Sequence, residues 1–319
     1  MAMTAGAGDA RGLNRRPSPL RMLWITAALS VCFLGIQWGL RDAPLLWFAA
    51  LRALLGGGAL AVVAVFQRRP WPTSVGAWGK ITLLGVVNVS LAFAAMFAGV
   101  AGLATGIAAV LSNAQPLLIL LPAWLLFGER ITARTGVALG VGFIGLLVVS
   151  VPGGGGSGAL LSLLAAAAVT AGTLMVRSMT GFDVVVLSAA HFLIGGLLLA
   201  GAALILEGPP TIDWTPRFVI VLGFLGLVAT AATTLAWFVE AQRTPLASLT
   251  VWMFLIPIFG LLIGVILLGE RPAGWTWLGV SLVLVSTWVA VTKQRIPGAG
   301  PPGHLSAGPP PDIPSDGST

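Results

Sequence analysis

The chain repeats one pattern. Gly128-Glu129-Arg130 closes one apolar stretch, and Gly269-Glu270-Arg271 closes another 141 residues later. At that offset Pro116 falls on Pro257, Gly85 on Gly226, Ala95 on Ala236 and Phe97 on Phe238. A second register, 139 residues apart, pairs Leu51-Arg52-Ala53 with Ala190-His191-Phe192. Two prolines inside apolar runs, each followed by the same charged exit, point to a duplicated unit. A duplicated apolar unit of this size is the pattern of many transporter folds.

The unit belongs in a bilayer. Charged residues make up 8% of the chain and hydrophobic residues 57%, whereas a soluble domain carries about 25% charge to solvate its surface. A spanning helix needs roughly 20 mostly apolar residues. Apolar runs between charges and turn residues give spans at Met22–Leu40, Leu45–Phe66, Ile81–Gly99, Leu103–Phe127, Gly136–Val151, Ala159–Met175, Val184–Leu206, Phe218–Val239, Ala247–Leu268 and Trp275–Val291. The expected fold is therefore all-α, a polytopic membrane protein of ten transmembrane helices in two repeats of five. The first repeat covers 22–151 and the second 159–292. Tails at 1–21 and 293–319, rich in Gly, Pro and Ser, should be disordered and cytoplasmic.

Orientation follows from the basic residues. A cytoplasmic N-terminus puts Arg21, Arg68, Arg69, Lys80, Arg177, Arg243 and Lys293 inside, and only Arg41, Arg217 and Arg271 in the outer loops. Both termini should then be cytoplasmic. Five spans per repeat is an odd number, so the second copy must enter the membrane inverted. Gly153–Gly158 at the join reads as a flexible external hinge.

The net charge of +7 does not indicate nucleic acid, because the basic residues are scattered at helix ends without stacking aromatics. Cys32 is alone, which rules out an intrachain disulfide, and His191 and His304 are the only histidines. No metal centre and no cofactor are expected. The partners are the lipid bilayer and a small-molecule substrate. Small-xxx-small spacings such as Gly260 and Gly264 allow close helix approach and leave room for a homodimer.

Few polar residues lie at membrane depth. Arg52 sits a few residues into the second span, where a central Arg costs about 2.5–3.5 kcal/mol on insertion scales. It should face a watery cavity or a partner, with snorkelling to the outer end as the alternative. Asn113 and Gln115 flank Pro116 in the fourth span. Proline there frees a carbonyl that needs a protein or water partner. Gln37 in the first span and Asn88 in the third are further polar groups. Trp124, Trp237 and Trp252 sit deeper than the interfacial tryptophans. The substrate-binding candidates are thus Arg52, Gln37, Asn88, Asn113, Gln115 and Trp252. Pro116 and Pro257 are the helix breaks or hinges. His191 titrates near neutrality when unperturbed and is one coupling candidate. Glu240 is the other, expected to pair with Arg243 three residues on.

In Ala50-Leu51-Arg52, Gln115-Pro116, Ile256-Pro257 and the exits Phe127-Gly128-Glu129-Arg130 and Leu268-Gly269-Glu270-Arg271, the chain resembles the EamA family of the drug/metabolite transporter superfamily. The resemblance covers Met22 to Val291. It implies two inverted five-helix halves around a central cavity and secondary active transport across the plasma membrane, as export or import of amino acids, other metabolites or toxic compounds. Efflux is the expected direction. The rival readings are a passive channel or facilitator and an intramembrane enzyme. The enzyme would need paired acids or a Ser/His pair at membrane depth, and no carboxylate lies well inside a span. No phosphate-binding loop is present for a nucleotide-driven pump.

Overall fold

Three of the helices begin where the sequence supplies a side chain to accept the first free backbone N–H groups. The computed structural model describes residues 17–102, 112, 115–119, 122, 125–126, 132–150, 158–268 and 274–292. Among them every regular element is helical. The elements are α1 (Pro19–Gly39), α2 (Leu45–Phe66), α3 (Val75–Gly85, continuing through Val86–Leu91 to Ala92–Gly102), the short piece α4 (Gln115–Leu118) and α5 (Ala133–Ser150). Then come α6 (Ala159–Ser178), α7 (Val184–Leu206), α8 (Pro216–Gly223, Phe224–Ala232 and Thr233–Ala241), α9 (Leu246–Thr250, Val251–Phe254 and Leu255–Leu268) and α10 (Gly274–Thr292).

Ser74 caps α3 through Ala77 N at 3.2 Å. Asp183 caps α7 by accepting from Val185 N at 2.9 Å and Val186 N at 3.1 Å. Thr215 caps α8 through Phe218 N at 3.0 Å, with Pro216 in the first turn. Each such cap is worth about 1 kcal/mol. The Ser74 cap explains why α3 starts at Val75 and not at Ile81, as the sequence suggested. The helix begins before Lys80, whose side chain is exposed.

Helices α1, α2, α3, α6, α7 and α8 are each long and apolar enough to cross a membrane. The 22 residues of α2 span about 33 Å at 1.5 Å per residue. The protein is an all-α membrane protein with at least these six candidate spans. Asn113, Trp124, residues 153–157 of the glycine-rich join, both Gly-Glu-Arg exits and the tails 1–16 and 293–319 lie outside the described residues.

The bundle has two ends, each fastened by polar contacts. At one end Arg217 pairs with Asp42 through two hydrogen bonds of 2.6 and 3.1 Å. There the Glu207 carboxylate, following α7, accepts from Leu46 N and Trp47 N at the start of α2. At the other end Arg21 pairs with Glu240 at 2.5 Å and Arg69 with Asp183 at 2.8 Å. Arg177, in the last turn of α6, donates to the carbonyls of Ala241 and Thr244 there.

These fastenings fix the direction of each helix. α1 runs from the Glu240 end to the Asp42 end, and α6 runs the opposite way. α2 and α7 are antiparallel, and so are α3 and α8. The corresponding helices of the two copies therefore oppose one another. Packing follows the same exchange: α1 lies against α8 and α9, α6 lies against α3 and α4, α2 pairs with α7, and α5 with α10.

Glycines allow the closest crossings, and they too are matched. A Cβ on Gly56 would lie 2.9 Å from the carbonyl oxygen of Gly226. A Cβ on Gly195, its counterpart, would lie 2.6 Å from that of Gly85. Small residues let helix backbones approach where lipid supplies no hydrophobic drive.

Two stretches wind as π-helix, Val86–Leu91 in α3 and Phe224–Ala232 in α8. Shifted by the repeat offset, the first falls inside the second. In α9 the winding tightens to 3-10 over Val251–Phe254 and returns to α at Leu255. The tightening comes one turn before Pro257, whose nitrogen carries no proton to bond to the carbonyl four residues back.

Candidate functional site

The π stretches face each other across a cavity of about 140 Å³. Ile25 and Leu29 of α1, Arg52 of α2, Asn88 and Phe93 of α3 and Gln115 of α4 line it from the first half. Val169 and Thr173 of α6, Ala229, Thr230, Thr233, Thr234, Trp237 and Phe238 of α8, and Met253 of α9 line it from the second. Both copies build one chamber.

Arg52 is its only charge among the lining residues. The side chain is 3% exposed, so it does not snorkel. Nε donates to Thr230 Oγ1 at 2.8 Å, and Nη2 reaches Ala229 O at 3.4 Å. That carbonyl belongs to the π stretch of α8. Thr233 Oγ1 donates to the same oxygen at 2.8 Å. The guanidinium carbon stands 4.5 Å from the Phe93 ring centroid, a cation–π contact. The Cys32 thiol on α1 also approaches it. Nη1 is buried with no hydrogen-bond partner among the described residues.

On the opposite wall Thr173 Oγ1 is a junction. It accepts from Gln115 Nε2 at 2.9 Å and from Trp237 Nε1 at 3.4 Å, and it donates to Val169 O at 3.0 Å. A hydroxyl has one proton and two lone pairs, so this one is fully used.

Asn88 lies within the π stretch of α3. Its Nδ2 is 3.5 Å from His191 Nε2, and His191 Nδ1 is 2.7 Å from Leu187 O. A ring nitrogen facing a carbonyl must carry the proton, so Nε2 is left as the acceptor for Asn88. His191 is fully buried between Phe192 and Phe238 and meets the chamber lining through Asn88 and Phe238.

Of the residues singled out from sequence, Arg52, Asn88 and Gln115 meet in the lining. Gln37 does not. It is exposed on the outer side of α1, because depth along an apolar helix does not fix which way a side chain faces. Trp252 is buried with its indole N–H unpartnered but is not in the lining, which its neighbour Met253 reaches. Glu240 closes the far end of α8 and does not pair with Arg243. Its carboxylate takes Arg21, 219 residues away in sequence and alongside it across α1 and α8. Pro116 falls within the helical piece of α4 and Pro257 within α9.

Sequence reasoning passed over Thr173, Thr230, Thr233 and Thr234. The signal was present in Thr230-x-x-Thr233-Thr234, hydroxyls spaced three and four apart on one helix face within an apolar run.

A family model described as the EamA-like transporter family matches residues 20–151 and again 156–292. A WAT1-related chloroplastic protein of Arabidopsis thaliana is 29% identical over 255 residues, covering 76% of this chain. The chain spans 61% of that relative's length. A probable amino-acid metabolite efflux pump of Escherichia coli is 26% identical over 304 residues, covering 89% of this chain and 97% of the relative. One solved crystal structure superposes with a TM-score of 0.70 at 19% identity, covering 85% of this chain and 95% of that one. At that identity the likeness shows a shared fold.

Proposed function

This chain belongs to the EamA-like transporter family, a family of transporters and not of enzymes, and on that premise we propose that it is a secondary active transporter that exports a small metabolite, amino acid-like solute or toxic compound. The observation that carries the reading is the chamber at membrane depth. It is lined by both copies and holds a buried guanidinium on α2. A solute there touches helices that run in opposite directions. Rocking the two halves about that level would expose it to one side and then the other.

In this reading the chain crosses the plasma membrane ten times, with both termini cytoplasmic and the two five-helix halves inverted. The opposed directions of α1 and α6, α2 and α7, and α3 and α8 support the inversion. The Glu240 end carries Arg21, Arg69 and Arg177 and is assigned to the cytoplasm by the bias of basic residues. Arg21–Glu240 and Arg217–Asp42 then close the chamber at its two ends and open in alternation. Pro116 and Pro257 are the points where α4 and α9 flex. Transport draws on an ion gradient or on exchange. Glu240 and His191 are the groups whose protonation would couple it, and Asn88 links His191 to the solute.

The test is flux through purified protein in liposomes, with a metabolite panel, with and without a pH gradient. Saturable movement with counterflow supports a carrier. Fast, unsaturable flux indicates a channel and overturns the reading.

A further inference from the structure

Among the described residues, the chamber lining holds a cation and no anion. The chain has ten acidic residues. Asp42, Asp183, Glu207, Asp213 and Glu240 sit at helix ends or in the loops between helices. Asp9, Asp312 and Asp316 lie near the chain termini, and Glu129 and Glu270 lie in the Gly-Glu-Arg exits. The stretch 103–126 contains no acid in its sequence. Arg52 is therefore a buried charge whose neighbours are a hydroxyl, a carbonyl, a thiol and aromatic rings. Burying a guanidinium without a counter-ion is unfavourable. One of its donors, Nη1, is still unused among the described residues, and the residue is 3% exposed.

Building on the transporter reading, we propose that the solute is a small monoanion, a carboxylate on an apolar body with no ammonium group, and that its carboxylate binds the guanidinium of Arg52 in the chamber lining. A carboxylate accepting from a guanidinium forms a charge-assisted bond, about twice as strong as a neutral one. It also supplies the missing counter-charge. The remainder of the solute meets Phe93, Trp237, Ile25 and Met253. A zwitterion fits less well. Its ammonium group would need a buried acceptor of opposite charge, and the described lining has none. The lone pairs of Thr173 Oγ1 are already taken by Gln115 and Trp237. The Phe93 face is occupied by Arg52 itself.

Purified protein in nanodiscs is titrated with four probes that share one body: phenylacetate, phenylacetamide, phenethylamine and phenylalanine. A second pair, butyrate and butyramide, removes dependence on body size. Binding is read as thermal stabilisation. Acids should bind at least tenfold more tightly than their amides, and phenylacetate more tightly than phenylalanine. Arg52→Gln should abolish the preference, and Arg52→Lys should retain part of it. If Arg52→Gln does not fold, the head-group comparison on the unaltered protein decides alone. The proposal falls if phenylalanine or phenethylamine binds as well as phenylacetate, if acids and amides are indistinguishable, or if none of the probes binds. Saturable counterflow of zwitterions, insensitive to Arg52→Lys, would overturn this inference and leave the transporter reading standing. Unsaturable flux in liposomes would remove the transporter reading, while the binding preference would still report on Arg52.

Discussion

Replacing Gly195 by alanine tests the helix crossing on which the bundle is centred. The new methyl group would lie 2.5 Å from Val89 Cβ and 2.6 Å from the carbonyl oxygen of Gly85. The oxygen belongs to a backbone and cannot rotate away, so α3 and α7 must part by about an ångström. Overpacking of this kind costs about 1–3 kcal/mol. Alanine also gains about 0.8–1 kcal/mol of helix propensity over glycine. That gain must be subtracted, and the same helix supplies the control. A Cβ on Gly201 meets nothing within 4 Å, so Gly201→Ala receives the propensity gain alone. The difference between the two variants is thus the packing cost, about 1–3 kcal/mol against Gly195→Ala. The repeat provides a second copy of the experiment in α2. There Gly56→Ala would press on Thr230 Cγ2 at 2.8 Å and the Gly226 oxygen at 2.9 Å, while Gly58→Ala meets open space. Reversible unfolding in mixed micelles, read by tryptophan fluorescence, measures all four variants. Equal stability of Gly195→Ala and Gly201→Ala would refute the crossing, and equal stability of the α2 pair would refute its symmetry.

Thr173→Val should cost about 1–3 kcal/mol, since it leaves the Gln115 amide and the Trp237 indole without their acceptor; the same unfolding assay reads it. Glu240→Gln should weaken the contact with Arg21 and raise the labelling rate of a cysteine placed at Leu29, in a Cys32→Ala background, by a reagent confined to that end; an unchanged rate would show that the pair does not gate the chamber. Asp183→Ala removes a cap worth about 1 kcal/mol. Burial of Asp183 favours its neutral form, but the Arg69 hydrogen bond and the N–H groups of Val186 and Val185 outweigh it and hold the carboxyl below its ordinary value. Its contribution is therefore complete above the unfolded value of about 3.9 and is lost as pH falls through the lower folded value. The stability gap between the unaltered protein and Asp183→Ala should accordingly hold from pH 7 to about 4 and close below that.

Local signals were legible in the sequence, and distant ones were not. α2 and α7 occupy the spans expected of them because Pro44 and Asp183 mark their starts within the sequence itself. The duplication was plain, and parity alone gave the opposed directions now seen in three helix pairs. Arg52, Asn88 and Gln115 stood out because any polar group in an apolar run does. What decides their use is rotation about the helix axis, and apolar helices reveal little of it. That is why Gln37, equally polar, faces outward on α1. Glu240 was paired with the nearby Arg243, whereas the fold brings Arg21 from the opposite end of the chain. The π winding of α3 and α8 leaves no mark in composition, and Thr230, which bonds to Arg52, lies within it.

That winding has a consequence for mutagenesis. One acceptor for Arg52 is the backbone oxygen of Ala229, and no exchange of side chain at position 229 can delete a peptide carbonyl. The position is already alanine, so a scan of single alanines passes over it and leaves the bond untouched. Removing it takes a change in the course of the backbone over 224–232. The architecture of the coil, more than the identity of its residues, then holds the arginine in place.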